Sequence, residues 1–126
     1  MEQQNNKEHL HILWTNADVT TAKLMVMMYA RNAMKNGWWK EVTVIVWGAT
    51  VKLLAENEEL QEELKRAESF GVKFTGCIAC AEELNLVDKM KEIGLDLYKW
   101  GPPLTELIKS PLHLCALRRR CGRSDL

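Results

Sequence analysis

Val42-Thr43-Val44-Ile45-Val46-Trp47-Gly48 is the stretch whose reading decides the fold. Five consecutive β-branched residues with no polar alternation suit a strand covered on both faces, as in a parallel sheet. The glycine that follows at once sits where a strand turns into its next helix. Working outward, the same pairing of strand and helix recurs. His9-Leu10-His11-Ile12-Leu13-Trp14 reads as a first strand, followed by the turn Thr15-Asn16-Ala17-Asp18. Asp18 or Thr20 caps a helix that runs to about Asn36 and stops at Gly37. Ala22, Val26, Ala30, Ala33 and Met34 share one side of it, and Leu24, Met27 and Met28 widen the apolar surface. Such a helix is expected to be covered on more than one face, as in an oligomer. The methionines at 25, 27, 28 and 34 read as core or subunit packing rather than a ligand surface.

Downstream, residues 51–70 read as helix with a break near Asn57. Glu56, Glu58, Glu59, Glu62 and Glu63 are spread by helical spacing and read as a solvated face, not a metal site. A third strand, residues 72–75, leads into Gly76-Cys77-Ile78-Ala79-Cys80. Residues 78–93 form one or two short helices with a step at Leu84-Asn85-Leu86. Residues 95–100 form a fourth strand, and Pro103 opens a helix over 104–109. The predicted order is βαβαβαβα, a three-layer α/β/α domain with a mostly parallel sheet of about five strands. Ligands in such sheets bind beyond the C-terminal strand ends, where Trp14-Thr15-Asn16, Trp47-Gly48, Gly76-Cys77 and Trp100-Gly101 all fall.

Composition narrows the function classes. A chain of 126 residues suits a single domain, and a formal net charge of zero removes any overall bias toward nucleic acid or membrane. No apolar run reaches the ~20 residues that span a bilayer, and the polar N-terminus is unlike a signal peptide. The expected location is the cytoplasm. In that setting the four cysteines read as free, catalytic or metal-binding thiols rather than a disulfide framework. No phosphate loop, His-x-x-x-His pair or Ser-His-Asp order is present.

Cys77 and Cys80 carry the chemistry. A thiol at a helix start faces unpaired backbone N–H groups and the positive end of the helix dipole, which favour the reactive thiolate. The competing reading is two small buried residues that merely pack. A sulfur carrier needs one nucleophilic thiol with a second free to resolve it. A dithiol oxidoreductase cycles both through a disulfide, but its motif commonly follows a first strand, not a third. Zinc on Cys77 and Cys80 would need Cys115, Cys121 or His113, a poor second knuckle in an arginine-rich tail, and an iron–sulfur cluster fares no better. No cofactor and no metal is expected.

Several of these segments together resemble the DsrE/DsrF-like family, the YchN-like fold. They are Trp14-Thr15-Asn16-Ala17, Asn36-Gly37-Trp38-Trp39-Lys40-Glu41-Val42, Val46-Trp47-Gly48-Ala49, Gly71-Val72 with the Cys-x-x-Cys-Ala that follows, and Trp100-Gly101-Pro102-Pro103-Leu104-Thr105-Glu106. The resemblance covers residues 9–110. It implies a small α/β protein assembled as a homotrimer or homohexamer and active in sulfur relay with donor and acceptor proteins. By position the persulfide-carrying cysteine of that family corresponds to Cys77, and Cys80 to a second cysteine found in some members. The candidate ligand-binding residues are Asn16, Trp47, Gly48 and Gly76. The sequence departs from the family after Ser110, where Leu112–Leu117 would have to supply a fifth strand and residues 118–126 read as a basic, disordered tail. The domain is thus placed at 9–117, after a disordered segment 1–8. A non-catalytic module, with Trp14, Asn16 and Trp47 holding a small ligand, stays open as the alternative.

Overall fold

In a computed structural model the structure describes residues 8–109. Four strands, β1 (His9–Trp14), β2 (Glu41–Val46), β3 (Lys73–Cys77) and β4 (Asp96–Tyr98), form one parallel sheet in the order β1-β2-β3-β4. The register pairs Leu10 with Val42, Val44 with Phe74 and Gly76 with Leu97. The sheet therefore has four strands among the described residues rather than the five expected. The stretch 112–117, on which the fifth depended, lies outside them.

Helix α1 covers residues 19–35. It opens with Val19–Thr21, is π-helical over Ala22–Met27 and continues as Met28–Lys35. The Asp18 carboxylate caps it, accepting from the Thr21 N–H at 2.8 Å. The π segment, in which the Met28 N–H reaches back to the Lys23 carbonyl, has no signature in the hydrophobic spacing. The break at Asn57 separates α2 (Ala49–Glu56) from α3 (Glu58–Ser69), with Asn57 Oδ1 accepting from the Leu60 N–H at 2.8 Å. The cysteine motif opens α4 (Ile78–Glu83), followed by α5 (Val87–Ile93) and, after β4, α6 (Gly101–Lys109).

The sheet order distributes the helices unequally. When each parallel strand is added beside the last in one direction, right-handed crossovers put every connecting helix on the same face. Leu10, Ile12, Trp14, Val42, Val44, Val46 and Phe74 accordingly share one core with α1–α5, through Val26, Met27, Leu54, Leu60, Leu64, Ala81 and Met90. Each fully buried leucine there contributes about 1.5–3 kcal/mol relative to an exposed one. The opposite face carries a small second cluster, Leu13 and Ile45 against Trp47, Trp100, Leu104 and Leu107, so α6 alone of these helices covers it. Toward the N-terminal strand ends that face is polar. His9 Nε2 lies 2.9 Å from Thr43 Oγ1, and His9 Nδ1 lies 3.4 Å from Glu41. The His9 and His11 rings stack at 4.0 Å. His9 is thus tied into the sheet surface, where the sequence offered it no partner.

Two further expectations change. The acidic face of α3 is only partly solvated, because Glu59 pairs with Lys23 and Glu63 with Arg31 of α1. Glu8, assigned to the leading segment, accepts from the Lys40 and Glu41 N–H groups at 2.9 and 3.1 Å. Residues 1–7 lie outside the described residues.

Candidate functional site

All four strands end on one edge, and the turns there build the site. β3 runs one residue into the motif, so Cys77 is both its last residue and the N-cap of α4, with extended backbone (φ −83°, ψ 116°). Its side chain does the work that an aspartate or serine does at other helix starts. Cys77 Sγ accepts from the Cys80 N–H at 3.4 Å. Cys80 Sγ in turn accepts from the Gly48 N–H at 3.4 Å. The chain of donors therefore runs from the Gly48 amide to Cys80 and from Cys80 to Cys77. Burial, and then its bond to Cys77, push the Cys80 thiol above the ordinary thiol range, against the opposing pull of the Gly48 N–H. Cys80 accordingly gives up its proton less readily than an ordinary thiol. Cys77 is 4% exposed and Cys80 half-buried.

The two sulfurs face different spaces. Cys77 lies in a cleft of about 620 Å³ walled by Trp47, Leu97, Tyr98 and Trp100, with Lys99 and Glu82 at its border. Cys80 lies in an almost wholly apolar recess of about 480 Å³ between α2 and α4, bordered by Gly48, Ala49, Lys52, Glu83 and Leu84. Ala79 borders both. The tryptophan wall is fixed by polar contacts. Trp100 Nε1 donates to Thr75 Oγ1 at 3.0 Å, and the Thr75 hydroxyl donates to the Asp96 carbonyl at 2.8 Å.

The predicted ligand-binding residues divide. Trp47 borders the Cys77 cleft and Gly48 the Cys80 recess. Gly48 has φ +68° and ψ −130°, a conformation left almost entirely to glycine, and this aims its N–H at Cys80. Gly76 is a packing position: a Cβ there would stand 2.8 Å from Leu95 Cδ2 and 3.0 Å from Leu97 Cδ2, so the ends of both side chains would have to move to admit it. Asn16 holds its own turn, its side-chain oxygen accepting from the Asp18 N–H at 2.8 Å and its carbonyl from Trp14 Nε1 at 3.0 Å. Trp14 does not line the cleft. It is 2% exposed in the helix-side core, because it shares strand parity with Leu10 and Ile12.

Thr50 is the residue that sequence reasoning missed. Fully buried, it places its hydroxyl 2.7 Å from the Trp14 carbonyl and 2.9 Å from the Trp47 carbonyl, and it accepts from the Trp47 N–H at 3.1 Å. One side chain thus joins the ends of β1 and β2 and sets the turn that carries Gly48. A threonine two residues after a strand-ending glycine was the only available signal.

Among the described residues, no three His, Cys, Asp or Glu side chains converge as a metal site. Cys115, Cys121 and His113, needed for the zinc reading, lie outside them. No described helix is long and apolar enough to cross a membrane.

No family model and no curated protein matches the chain. Among solved structures, it is similar to a conserved protein of unknown function from Bacteroides thetaiotaomicron, with 35% identity and a TM-score of 0.78. The match covers 81% of this chain and 88% of that one. The chain belongs to the same family as that protein.

Proposed function

We propose that the protein is a DsrE-like sulfur-relay protein of the YchN-like fold, carrying a sulfane sulfur as a persulfide on Cys77, with Cys80 assisting. One observation carries this reading. Cys77 Sγ stands at the α4 N-cap, accepts from the Cys80 N–H at 3.4 Å, and faces a cleft that a sulfur donor can enter. A sulfur so placed accepts rather than donates hydrogen bonds, which is the disposition of a nucleophile. The motif resemblance supplies the sulfur chemistry, and the α/β fold with a four-stranded parallel sheet agrees with it. Trp47 and Trp100 supply flat apolar walls for the alkyl or aromatic body of a persulfide donor.

In this reading the protein works in the cytoplasm as a homotrimer or homohexamer and meets donor and acceptor proteins, with no part for nucleic acid or membrane. Leu24, Met25 and Met28, exposed together on α1, support self-association, since monomers seldom leave such a cluster uncovered. Light scattering on the purified chain checks the assembly. The carrier role is tested by incubating the protein with a sulfane donor and weighing it intact. Wild type gains the mass of one sulfur and Cys77→Ser does not. Wild type that gains none while its thiols resist alkylation at neutral pH returns the cysteines to packing. A dithiol redox role is favoured instead if the protein cycles reversibly through a Cys77–Cys80 disulfide of defined potential, a reading that the placement of both cysteines on one helical turn also supports.

A further inference from the structure

Cys77 Sγ lies 3.4 Å from the Cys80 backbone nitrogen on one helical turn, yet the two cysteines border different spaces, Cys77 the tryptophan-walled cleft and Cys80 the apolar recess against α2. If a single cysteine did all the work, the second recess and its sulfur would have no part in the chemistry. Given the proposed carrier role, on which this rests, we infer that the sulfane sulfur crosses from Cys77 to Cys80, so that it is received in one cleft and handed on from the other.

The chemistry follows from the bonds already in place. Loading gives Cys77 Sγ–S–H, whose outer sulfur stands about 2.05 Å beyond Sγ. Cys77 Sγ already lies 3.4 Å from the Cys80 backbone nitrogen, so rotation of the Cys80 side chain brings its Sγ toward that outer sulfur. Cys80 Sγ forms a bond to the outer sulfur while the Cys77 Sγ–S bond breaks. The Cys80 proton passes to Cys77 Sγ, which leaves as a thiol. The products are Cys80 Sγ–S–H and Cys77 Sγ–H. One S–S bond replaces another, no electron is gained or lost overall, and no outside oxidant or reductant enters.

The order of events is set by the same contacts. Cys77, at the α4 N-cap and on the wall of the tryptophan cleft, takes the first loading, and Cys80 becomes nucleophilic as its own proton leaves. The Gly48 N–H, 3.4 Å from Cys80 Sγ, is placed to steady the negative charge that develops there during the attack. The receiving recess is apolar but for Lys52 and Glu83 at its border, so it suits an acceptor that presents its thiol on an apolar segment. Water, with little to bond to in that recess, is a weak competitor for the sulfur.

The test uses the full chain and inorganic polysulfide as the probe. Samples are quenched with an alkylating agent over a time course, and fragment-ion mass spectrometry locates the added sulfur within the peptide holding both cysteines. The expected result is added sulfur on Cys77 at early times and on Cys80 later. Cys80→Ser keeps its sulfur on Cys77 throughout, and Cys77→Ser leaves Cys80 unloaded over the same period. Far-UV circular dichroism establishes that both variants are folded, and the wild-type time course reads the transfer without any substitution. Sulfur that stays on Cys77 in wild type overturns the transfer and leaves the carrier role of Cys77 intact. So does attack at the inner sulfur, seen as a Cys77–Cys80 disulfide with release of hydrogen sulfide. Cys80 that loads in Cys77→Ser as fast as in wild type overturns it as well. No sulfur on either cysteine overturns the carrier role itself.

Discussion

The backbone N–H of Gly48 lies 3.4 Å from Cys80 Sγ, so the turn after β2 holds the second thiol of the turn after β3. This bond exists only because residue 48 adopts φ +68° with ψ −130°. Gly48→Ala has open space for its methyl group, so its cost is conformational and falls at about 1–3 kcal/mol. Chemical denaturation checks the loss. The same substitution turns the N–H away from Cys80, removing a group that lowers its pKa, so alkylation of Cys80 near pH 8 is expected to slow. A variant as stable as wild type with unchanged Cys80 reactivity contradicts the role assigned to Gly48.

Thr50 ties β1 to β2 through buried hydrogen bonds. Thr50→Val preserves shape but takes one donor from the Trp14 carbonyl, which keeps the Trp47 N–H at 3.2 Å, at a cost of about 1 kcal/mol. Thr50→Ser keeps the hydroxyl and gives up only a buried methyl group. Its unfolding midpoint is expected to lie well above that of Thr50→Val. The reverse order would mean that packing, not hydrogen bonding, fixes this corner.

The pH dependence of Cys80 has a definite sign. Its thiol is raised in the folded protein, first by burial and next by its bond to Cys77, so the folded state binds more protons than the unfolded chain above the unfolded thiol pKa of about 8.5. Stability is thus expected to fall as pH rises from there toward the folded value. Cys77→Ala removes the thiol bond and the neighbouring charge. The midpoint of Cys80 alkylation against pH should then move down. A midpoint that stays fixed would show that burial alone raises it.

Gly76 tests the packing of β3 against β4. Gly76→Ala drives a methyl group into the ends of buried Leu95 and half-buried Leu97, whose side chains must shift to admit it, at about 1 kcal/mol. Gly76→Val is expected to lose more, and thermal melts of the two variants check the order. A stabilised alanine variant would mean that both leucines have room to move.

Local punctuation was legible in the sequence because it depends on single residues. Asp18 and Asn57 cap the helices they were expected to cap or divide, and the Cys-x-x-Cys falls at the strand-to-helix turn. What escaped depends on register and order. Trp14 ends a strand as Trp47 does, yet it points into the core, since Leu10 and Ile12 fix its parity while Trp47 follows Thr43 and Ile45. The alternation with His9 and His11 already held that information. The sheet order is different in kind. No local spacing dictates that β1 to β4 add in one direction, and this leaves α6 alone on the second face.

Ala79, one methyl group on the first turn of α4, borders both the space in front of Cys77 and the space in front of Cys80. A larger side chain at that single position narrows both at once, so neither half of the site can be reshaped from there without the other. Lys52 and Trp100 each border only one of the two spaces. A change at either of those positions therefore reshapes one space and leaves the other as it is.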